Sequence, residues 1–235
     1  MLDRVNSRVD PLIEYCKGKS VLNIGGVGMG VNDTFEMSGS NAIIAGRDFH
    51  LPRVKEVAKE LVVVDIQKDK LEILQKYGYK TLCQSADEYF CIAADSLPHV
   101  DCRCHECVDA HKRFDVVLAE EIIEHLQDLR VFMNNVKRHL KDDGTFLITS
   151  PSPWGWAYTL QRILYGKERS NNFHTHWQSE KTMRYLLESN GFEVISVRYI
   201  DAVSENLQGR IIQNLLRWLP HHWGINVIYQ VRLRK

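Results

Sequence analysis

A run of apolar residues that passes directly into four glycines constrains this chain more than any other stretch. Residues 21–24 predict a buried strand, and Gly25, Gly26, Gly28 and Gly30 follow where the chain has to turn tightly. A turn without side chains lets a ligand come close to the backbone. The stretch therefore predicts a nucleotide-type pocket at the tip of a first strand, although loops that bind no ligand also collect glycine.

Length and composition fit one domain. A chain of 235 residues with 44% hydrophobic content can bury one full core. Its formal net charge is zero, which does not favour nucleic acid as a partner. The N-terminus lacks an apolar signal core, and no apolar run approaches the roughly 20 residues of a membrane span. We therefore expect a cytoplasmic protein with no transmembrane segment.

Predicted strands and helices alternate along the chain. This order predicts an α/β fold in which a mostly parallel sheet is covered on both faces and binds ligands at the carboxyl ends of its strands. The last two strands are close in sequence, so one of them is expected to be antiparallel. The predicted strands are 20–24, 61–65, 79–84, 114–119, 145–149, 192–200 and 226–233; the predicted helices are 1–18, 51–60, 69–77, 129–140, 157–165, 180–189 and 208–219, with an irregular segment at 31–50 and a turn at 141–144.

Asp65 ends the second predicted strand, beside the glycine turn of the first. One carboxylate can accept hydrogen bonds from both hydroxyls of a ribose, and α/β domains hold nucleosides at this position. The alternative is that Asp65 caps the helix that starts near Lys68. The two roles are compatible.

Together with the glycine turn and Asp65, residues 114–126 (FDVVLAEEIIEHL) resemble class I S-adenosylmethionine-dependent methyltransferases, in particular those with an E-x-x-E-H-L run after strand four. The similarity extends through 140–151 and 190–194. The resemblance implies a Rossmann-like fold with a seven-stranded, mostly parallel sheet, one antiparallel strand and helices on both faces. It also implies S-adenosylmethionine as the cofactor, lying across the tips of strands one to four.

The resemblance places the glycine turn under the methionine half of the cofactor and Asp65 at its ribose. The sequence departs from the family at Asn23, which replaces the usual acidic residue, and in a glycine run that is one residue longer. The Asn23 amide oxygen can still accept from the methionine ammonium, but without charge. The implied cofactor-binding residues are Asn23, Gly25, Gly26, Gly28, Asp65, Ile66, Ala86, Asp87, Glu120 and Glu121.

Methyl transfer from a sulfonium is an in-line displacement, so the protein has to position the acceptor and remove its proton. His125, His174 and His176 are the candidate catalytic bases. The alternative for each is a hydrogen-bonded residue on the pocket wall. The segment at about 150–178, which contains two of them, is predicted to lie on the substrate side.

Glu121, Glu124 and His125 have i, i+3 and i+4 spacing, which predicts one helix face. With His174 or His176 they could bind a divalent metal. A similar arrangement holds a metal in small-RNA 3′-end 2′-O-methyltransferases, whereas ubiquinone-biosynthesis O-methyltransferases resemble this chain as metal-free relatives. The metal-free interpretation is favoured.

Two segments are not explained by the resemblance. Cys102, Cys104 and Cys107, with His105 and His111, lie in an insertion at about 91–113, where reduced free thiols are favoured over a zinc site. The amphipathic stretch 210–219 is expected to pack on the sheet or on a second copy in a homodimer. Contact with a lipid-linked or aromatic substrate is the alternative.

The sequence as a whole predicts one methyltransferase domain over 1–235. We expect it to transfer a methyl group from S-adenosylmethionine to a small-molecule or saccharide-type acceptor, at oxygen. A metal-dependent RNA 3′-end 2′-O-methyltransferase and a nucleoside-binding domain without turnover are the alternatives.

Overall fold

A computed structural model of the protein describes residues 3–5, 10–27, 50–92, 111–166, 174–202 and 220–235, together with 211, 214, 215 and 218. Several predicted features lie outside these residues. They are Gly28 and Gly30, most of the irregular segment 31–50, Cys102, Cys104, His105 and Cys107 of the insertion, and most of the predicted helix 208–219.

The described part of the chain forms an eight-stranded sheet in the order β1-β7-β8-β6-β5-β2-β3-β4. β8 runs antiparallel to β6 and β7, and the other neighbours are parallel. The predicted seven strands with one reversed are thus confirmed for β2 to β8. The strands are β1 (Asp3–Val5), β2 (Ser20–Ile24), β3 (Glu60–Asp65), β4 (Lys80–Cys83), β5 (Phe114–Glu120), β6 (Leu140–Pro151), β7 (Phe192–Ala202) and β8 (Asn226–Leu233).

Two predictions of local structure were wrong. The predicted helix 1–18 is shorter, because residues 3–5 pair with β7 at the sheet edge and this pairing overrides the helical spacing. The predicted turn 141–144 lies inside β6. Phe114 pairs with Leu140 whereas Val116 pairs with Thr145, so these four residues bulge from the ladder instead of ending the strand.

Six α-helices are described, and five of them cover the two faces of the sheet. They are α1 (Asp10–Cys16), α2 (Leu51–Val57), α3 (Lys68–Lys76), α4 (Leu129–His139), α5 (Trp156–Tyr165) and α6 (Glu180–Ser189). Helices α1 to α3 pack on one face, and α4 and α6 on the other, each with its own apolar cluster. Ser179 caps α6, and its side chain accepts from Thr182 N. None of the described helices is long and apolar enough to cross a membrane.

The insertion between β4 and β5 begins and ends at adjacent points. Lys112 N donates to Ile92 O at 2.6 Å, and Ile92 N donates to His139 Nε2 at 3.2 Å. His139 is fully buried, and its Nδ1 lies 2.8 Å from Asn135 O. The ring therefore donates through Nδ1 and accepts through Nε2, which requires the neutral form.

His139 predicts a loss of stability in acid. Burial lowers its pKa from 6.5 to about 4, and the nearby His111 and Arg138 act in the same direction. The unfolded chain therefore binds a proton that the folded chain excludes between those pH values. The free energy of unfolding should fall by about 3 kcal/mol as the pH drops from 7 towards 4. Urea unfolding at several pH values measures this.

The variant His139→Gln isolates the contribution of this histidine. It should be less stable than wild type at pH 7 but should lack this part of the acid dependence. His111 and His174, whose pKa values are also lowered by burial, titrate in both proteins. A variant with the same pH dependence as wild type would contradict the assignment.

Candidate functional site

A cavity of about 600 Å³ opens at the carboxyl ends of β2, β3, β4 and β5. This is the edge at which the sequence places ligand binding. Its walls consist of strand tips and the turns that follow them. The lining residues are Ile24, Gly25, Val64, Asp65, Ile66, Gln67, Lys70, Gln84, Ser85, Ala86, Asp87, Glu121, Ile122, His125 and Leu126.

The glycine turn forms one wall of the cavity. Gly25 has a φ of +78° and donates to Val64 O at 2.8 Å. A Cβ atom at Gly25 would collide with the Ile122 side chain, and one at Gly26 would collide with Asn23 Oδ1. Both positions therefore need glycine for close approach, and Gly25 needs it for its backbone conformation as well.

The Asp65 carboxylate lies at the end of β3 and lines the cavity. Its Oδ2 accepts from Val27 N at 3.2 Å, and its Oδ1 accepts from Gln67 N at 3.0 Å. The first bond fixes the glycine turn to β3. The second forms a turn just ahead of α3, so Asp65 precedes the helix cap rather than serving as one. Further lone pairs of the carboxylate are available to a ligand.

The tip of β4 supplies the wall opposite the glycine turn. Ala86 lines the cavity beside the exposed side chain of Ile66 at the tip of β3. Asp87, one of the implied cofactor-binding residues, also lines it, and both of its carboxylate oxygens accept from Gln127 N at 3.1 to 3.2 Å. The Asp87 side chain thus holds the loop that leads to α4.

Three buried polar side chains meet behind the glycine turn. His50 Nε2 lies 2.8 Å from Asn23 Nδ2 and 2.9 Å from Glu120 Oε1. Among the described residues, neither Asn23 Oδ1 nor Glu120 Oε1 accepts a hydrogen bond, because the contact between Glu120 and His50 is close but lacks hydrogen-bond geometry. Two buried acceptors therefore lack a donor in this part of the chain. No sequence signal marks His50 as part of this site.

The segment after β5 does not form the predicted helix face. Glu121 lines the cavity and has a φ of +51°, so the chain bends there before a 3₁₀ turn at Ile123–His125. Glu121 N donates to Thr149 O at 3.2 Å, which anchors the bend to β6. The prediction that Glu121, Glu124 and His125 share one helix face is wrong, because no helix runs through all three.

A different set of side chains comes together. Ligand atoms of Glu124, His125 and His174 all lie within 4.8 Å of one another. The rings of His125 and His174 pack edge to face, with centroids 4.8 Å apart. Burial and the adjacent His125 lower the pKa of His174. Glu121 and His176 are not part of this cluster, although His176 N donates to Glu124 O at 3.1 Å.

The sequence model of a methyltransferase-domain family matches residues 16–197, which is most of the chain. The chain belongs to this methyltransferase family. The match confirms the sequence-based identification of an S-adenosylmethionine-dependent methyltransferase. The matched region includes every strand that lines the cavity.

Relatives of this methyltransferase include enzymes of ubiquinone biosynthesis. It is 31% identical over 101 residues to the ubiquinone biosynthesis O-methyltransferase of Bradyrhizobium diazoefficiens, covering 38% of this chain and 39% of that protein. It is 32% identical over 104 residues to the human mitochondrial enzyme, covering 41% and 28%. The aligned region thus spans about two fifths of the first relative and less than a third of the second.

Solved structures share the methyltransferase fold. A SAM-dependent methyltransferase from Archaeoglobus fulgidus superimposes with a TM-score of 0.59 at 16% identity, covering 97% of this chain and 91% of that one. Magnesium protoporphyrin IX methyltransferase from Synechocystis, with bound SAH, gives 0.55 at 11% identity, covering 97% and 82%. At these identities the similarity concerns the fold.

The glycine turn predicts a position-specific cost. Gly25 and Gly166 both have positive φ, but only at Gly25 does an added Cβ meet a side chain. Gly166→Ala should lower the free energy of unfolding by about 1 kcal/mol through backbone strain alone. Gly25→Ala should cost roughly 1–3 kcal/mol more, because Ile122 must move. Urea unfolding of both variants measures the difference, and equal costs would contradict the contact.

Proposed function

We propose that this methyltransferase transfers a methyl group from S-adenosylmethionine to an oxygen of a small-molecule acceptor. The main support is the cavity in which Gly25 and Asp65 meet at the tips of neighbouring strands. The ubiquinone-biosynthesis relatives, which are O-methyltransferases by name, support an oxygen acceptor. Of the two predicted acceptor types, they favour a small molecule over a saccharide.

The adenosine half of the cofactor fits the part of the cavity between Asp65 and Ala86. The Asp65 carboxylate accepts ribose hydroxyls through the Oδ2 lone pair that Val27 N leaves unused, and through Oδ1 once the Gln67 side-chain amide, which donates to it at 3.4 Å, moves aside. Ile66, Ala86 and Ile122 provide apolar surface for the adenine ring. Asp87 contributes indirectly, because its carboxylate accepts from Gln127 N and so holds the adjacent loop in place.

We place the methionine half beside Gly25. Gly26, Asn23 and Glu120 are not among the described residues that line the cavity, and the last two lie directly behind the glycine turn. An ammonium group brings three N–H donors and a positive charge. Asn23 Oδ1 and Glu120 Oε1 are buried acceptors that receive no hydrogen bond from the described residues, and Glu120 supplies the charge that Asn23 lacks. We assign the ammonium contact to this pair, with His50 positioning the Glu120 carboxylate.

The reaction then needs an oriented acceptor and a base. The cofactor supplies an electrophilic methyl group on its sulfonium. His125 lines the cavity and packs on His174, so either ring can lie next to an acceptor hydroxyl. The lowered pKa of His174 keeps it neutral at pH 7 and able to accept the hydroxyl proton. His176 remains a candidate from the sequence alone.

Ligand titration tests both halves of the cofactor site separately. S-adenosylhomocysteine carries the amino-acid group, whereas 5′-methylthioadenosine carries only the adenosine and sulfur. Asp65→Ala should weaken the binding of both ligands at least tenfold, because both have the ribose. Glu120→Gln should weaken only S-adenosylhomocysteine, by about tenfold, because a charged hydrogen bond is worth roughly 1.5–3 kcal/mol. Isothermal titration calorimetry gives the affinities.

Three outcomes would contradict parts of this proposal. If wild type does not bind S-adenosylhomocysteine, the proposed function fails. If Asp65→Ala binds both ligands normally, the ribose assignment fails. If Glu120→Gln weakens both ligands equally, its effect is structural and the ammonium assignment fails. Asp69→Asn, an acidic residue in the first turn of α3 and outside the cavity lining, is the matched control for charge removal.

A divalent metal is a second candidate component of the same site. Glu124, His125 and His174 offer one carboxylate and two imidazoles, a set that suits zinc, manganese or iron. Two ligand atoms that bind the same ion lie up to about 4 Å from each other. Small side-chain rotations would bring the ligand atoms of these three residues to such distances. A metal there would lower the pKa of an acceptor hydroxyl. The balanced charge of the chain does not add support for an RNA acceptor.

Metal titration tests this component. Zn²⁺ and Mn²⁺ added to the metal-free protein should bind at one site, and His174→Ala should weaken binding at least tenfold because it removes one of three ligands. His176→Ala is the control, since His176 lies two residues away and outside the cluster. Equal affinities for wild type and His174→Ala would exclude these ligands.

A further inference from the structure

Helix α5 has no buried side chain, although it is rich in apolar residues. Its exposed large hydrophobic residues, together with Trp154 just before it, lie within twelve residues of sequence, 154–165. We call these the α5 apolar face: Trp154, Leu160, Ile163, Leu164 and Tyr165, with Ile163 75% exposed. A water-exposed apolar surface of this kind marks an interaction site more often than a free surface.

The α5 apolar face lies at the same edge of the sheet as the cofactor cavity. Helix α5 follows the carboxyl end of β6, and Trp156 Nε1 donates to Asp201 Oδ2 near the end of β7 at 2.8 Å. Gly155 packs against Ile225, at the start of β8. The connection from β7 to β8 carries three more exposed apolar residues, namely Ile211, Leu215 and Trp218.

Aromatic rings link α5 to the cavity. Tyr158 packs edge to face on Trp177 at 5.2 Å, and Trp177 lies 6.3 Å from His174. His174 packs on His125, which lines the cavity. One side of α5 therefore reaches towards the site through these rings, while the α5 apolar face is exposed to solvent.

The charge of these segments has one sign. No acidic residue occurs from 145 to 167 or from 206 to 235. The basic residues of these two segments are Arg162, Lys167, Arg210, Arg217, Arg232, Arg234 and Lys235, and Glu168 directly follows the first segment. Exposed apolar residues accompanied by tryptophan, tyrosine and basic side chains are the composition of surfaces that bind the headgroup region of anionic bilayers.

We propose that the α5 apolar face binds the surface of an anionic lipid bilayer, with Ile163 and Leu164 entering the acyl boundary. A second copy of the chain fits less well, because a symmetric contact through α5 would place two copies of the helix that carries Arg162 opposite each other. Anionic lipid instead provides the opposite charge. The proposal does not depend on methyl transfer, but it would bring a lipophilic acceptor to the cavity.

Vesicle sedimentation of the full chain tests the proposal. Wild type should bind vesicles of phosphatidylcholine with phosphatidylglycerol, more weakly at high salt and more weakly to phosphatidylcholine alone. The double variant Ile163→Asp, Leu164→Asp should bind about tenfold or more weakly, because two large apolar side chains no longer insert. Both side chains are exposed, so folding should persist, and urea unfolding checks this.

Tyr185→Asp is the matched control, because Tyr185 is also 75% exposed but lies on α6. It should bind vesicles as wild type does. The proposal is overturned if wild type does not bind vesicles or if the double variant binds as well as wild type. It is also overturned if wild type forms a dimer that the double variant abolishes. None of these results bears on S-adenosylhomocysteine binding, so failure here is distinct from failure of the proposed function.

Discussion

The close approach of bare backbone to neighbouring side chains at Gly25 and Gly26 is the constraint on which the site depends. Ile122 occupies the space beside Gly25, and Asn23 Oδ1 occupies the space beside Gly26. Hydrogen bonds from Gly25 N to Val64 O and from Val27 N to Asp65 tie the same turn to β3. The tips of β2, β3 and β5 are therefore held in one arrangement before any ligand arrives, which reduces the entropy lost on binding.

The parts of the fold that the sequence predicted are those in which local pattern and tertiary packing agree. Strand β8 and helix α6 were predicted with the right bounds. Strands β2 to β7 were predicted to within a few residues, apart from the start of β6. The glycine turn and Asp65 were predicted at the cavity because apolar strands that end in glycine or a carboxylate place those residues at the sheet edge. These features depend on short stretches of chain.

The parts that could not be predicted depend on contacts between distant residues. Strand β1 exists through pairing with β7, nearly 200 residues further along the chain. The Glu124, His125 and His174 cluster depends on a bend at Glu121 that no spacing rule predicts. His50 lies 27 residues from Asn23 in sequence and meets it only because α2 begins above the tip of β2. No local motif encodes these contacts.

The hydrogen bond between Lys112 N and Ile92 O determines how far the insertion between β4 and β5 can change in length or composition. It brings both ends of the insertion to one point beside His139, where they are anchored independently of what lies between them. Each doubling of loop length costs only about 0.6 kcal/mol of closure entropy. A segment of different length or composition can therefore be accommodated at this junction without disturbing β4 or β5, which makes it a natural point for acquiring a new module.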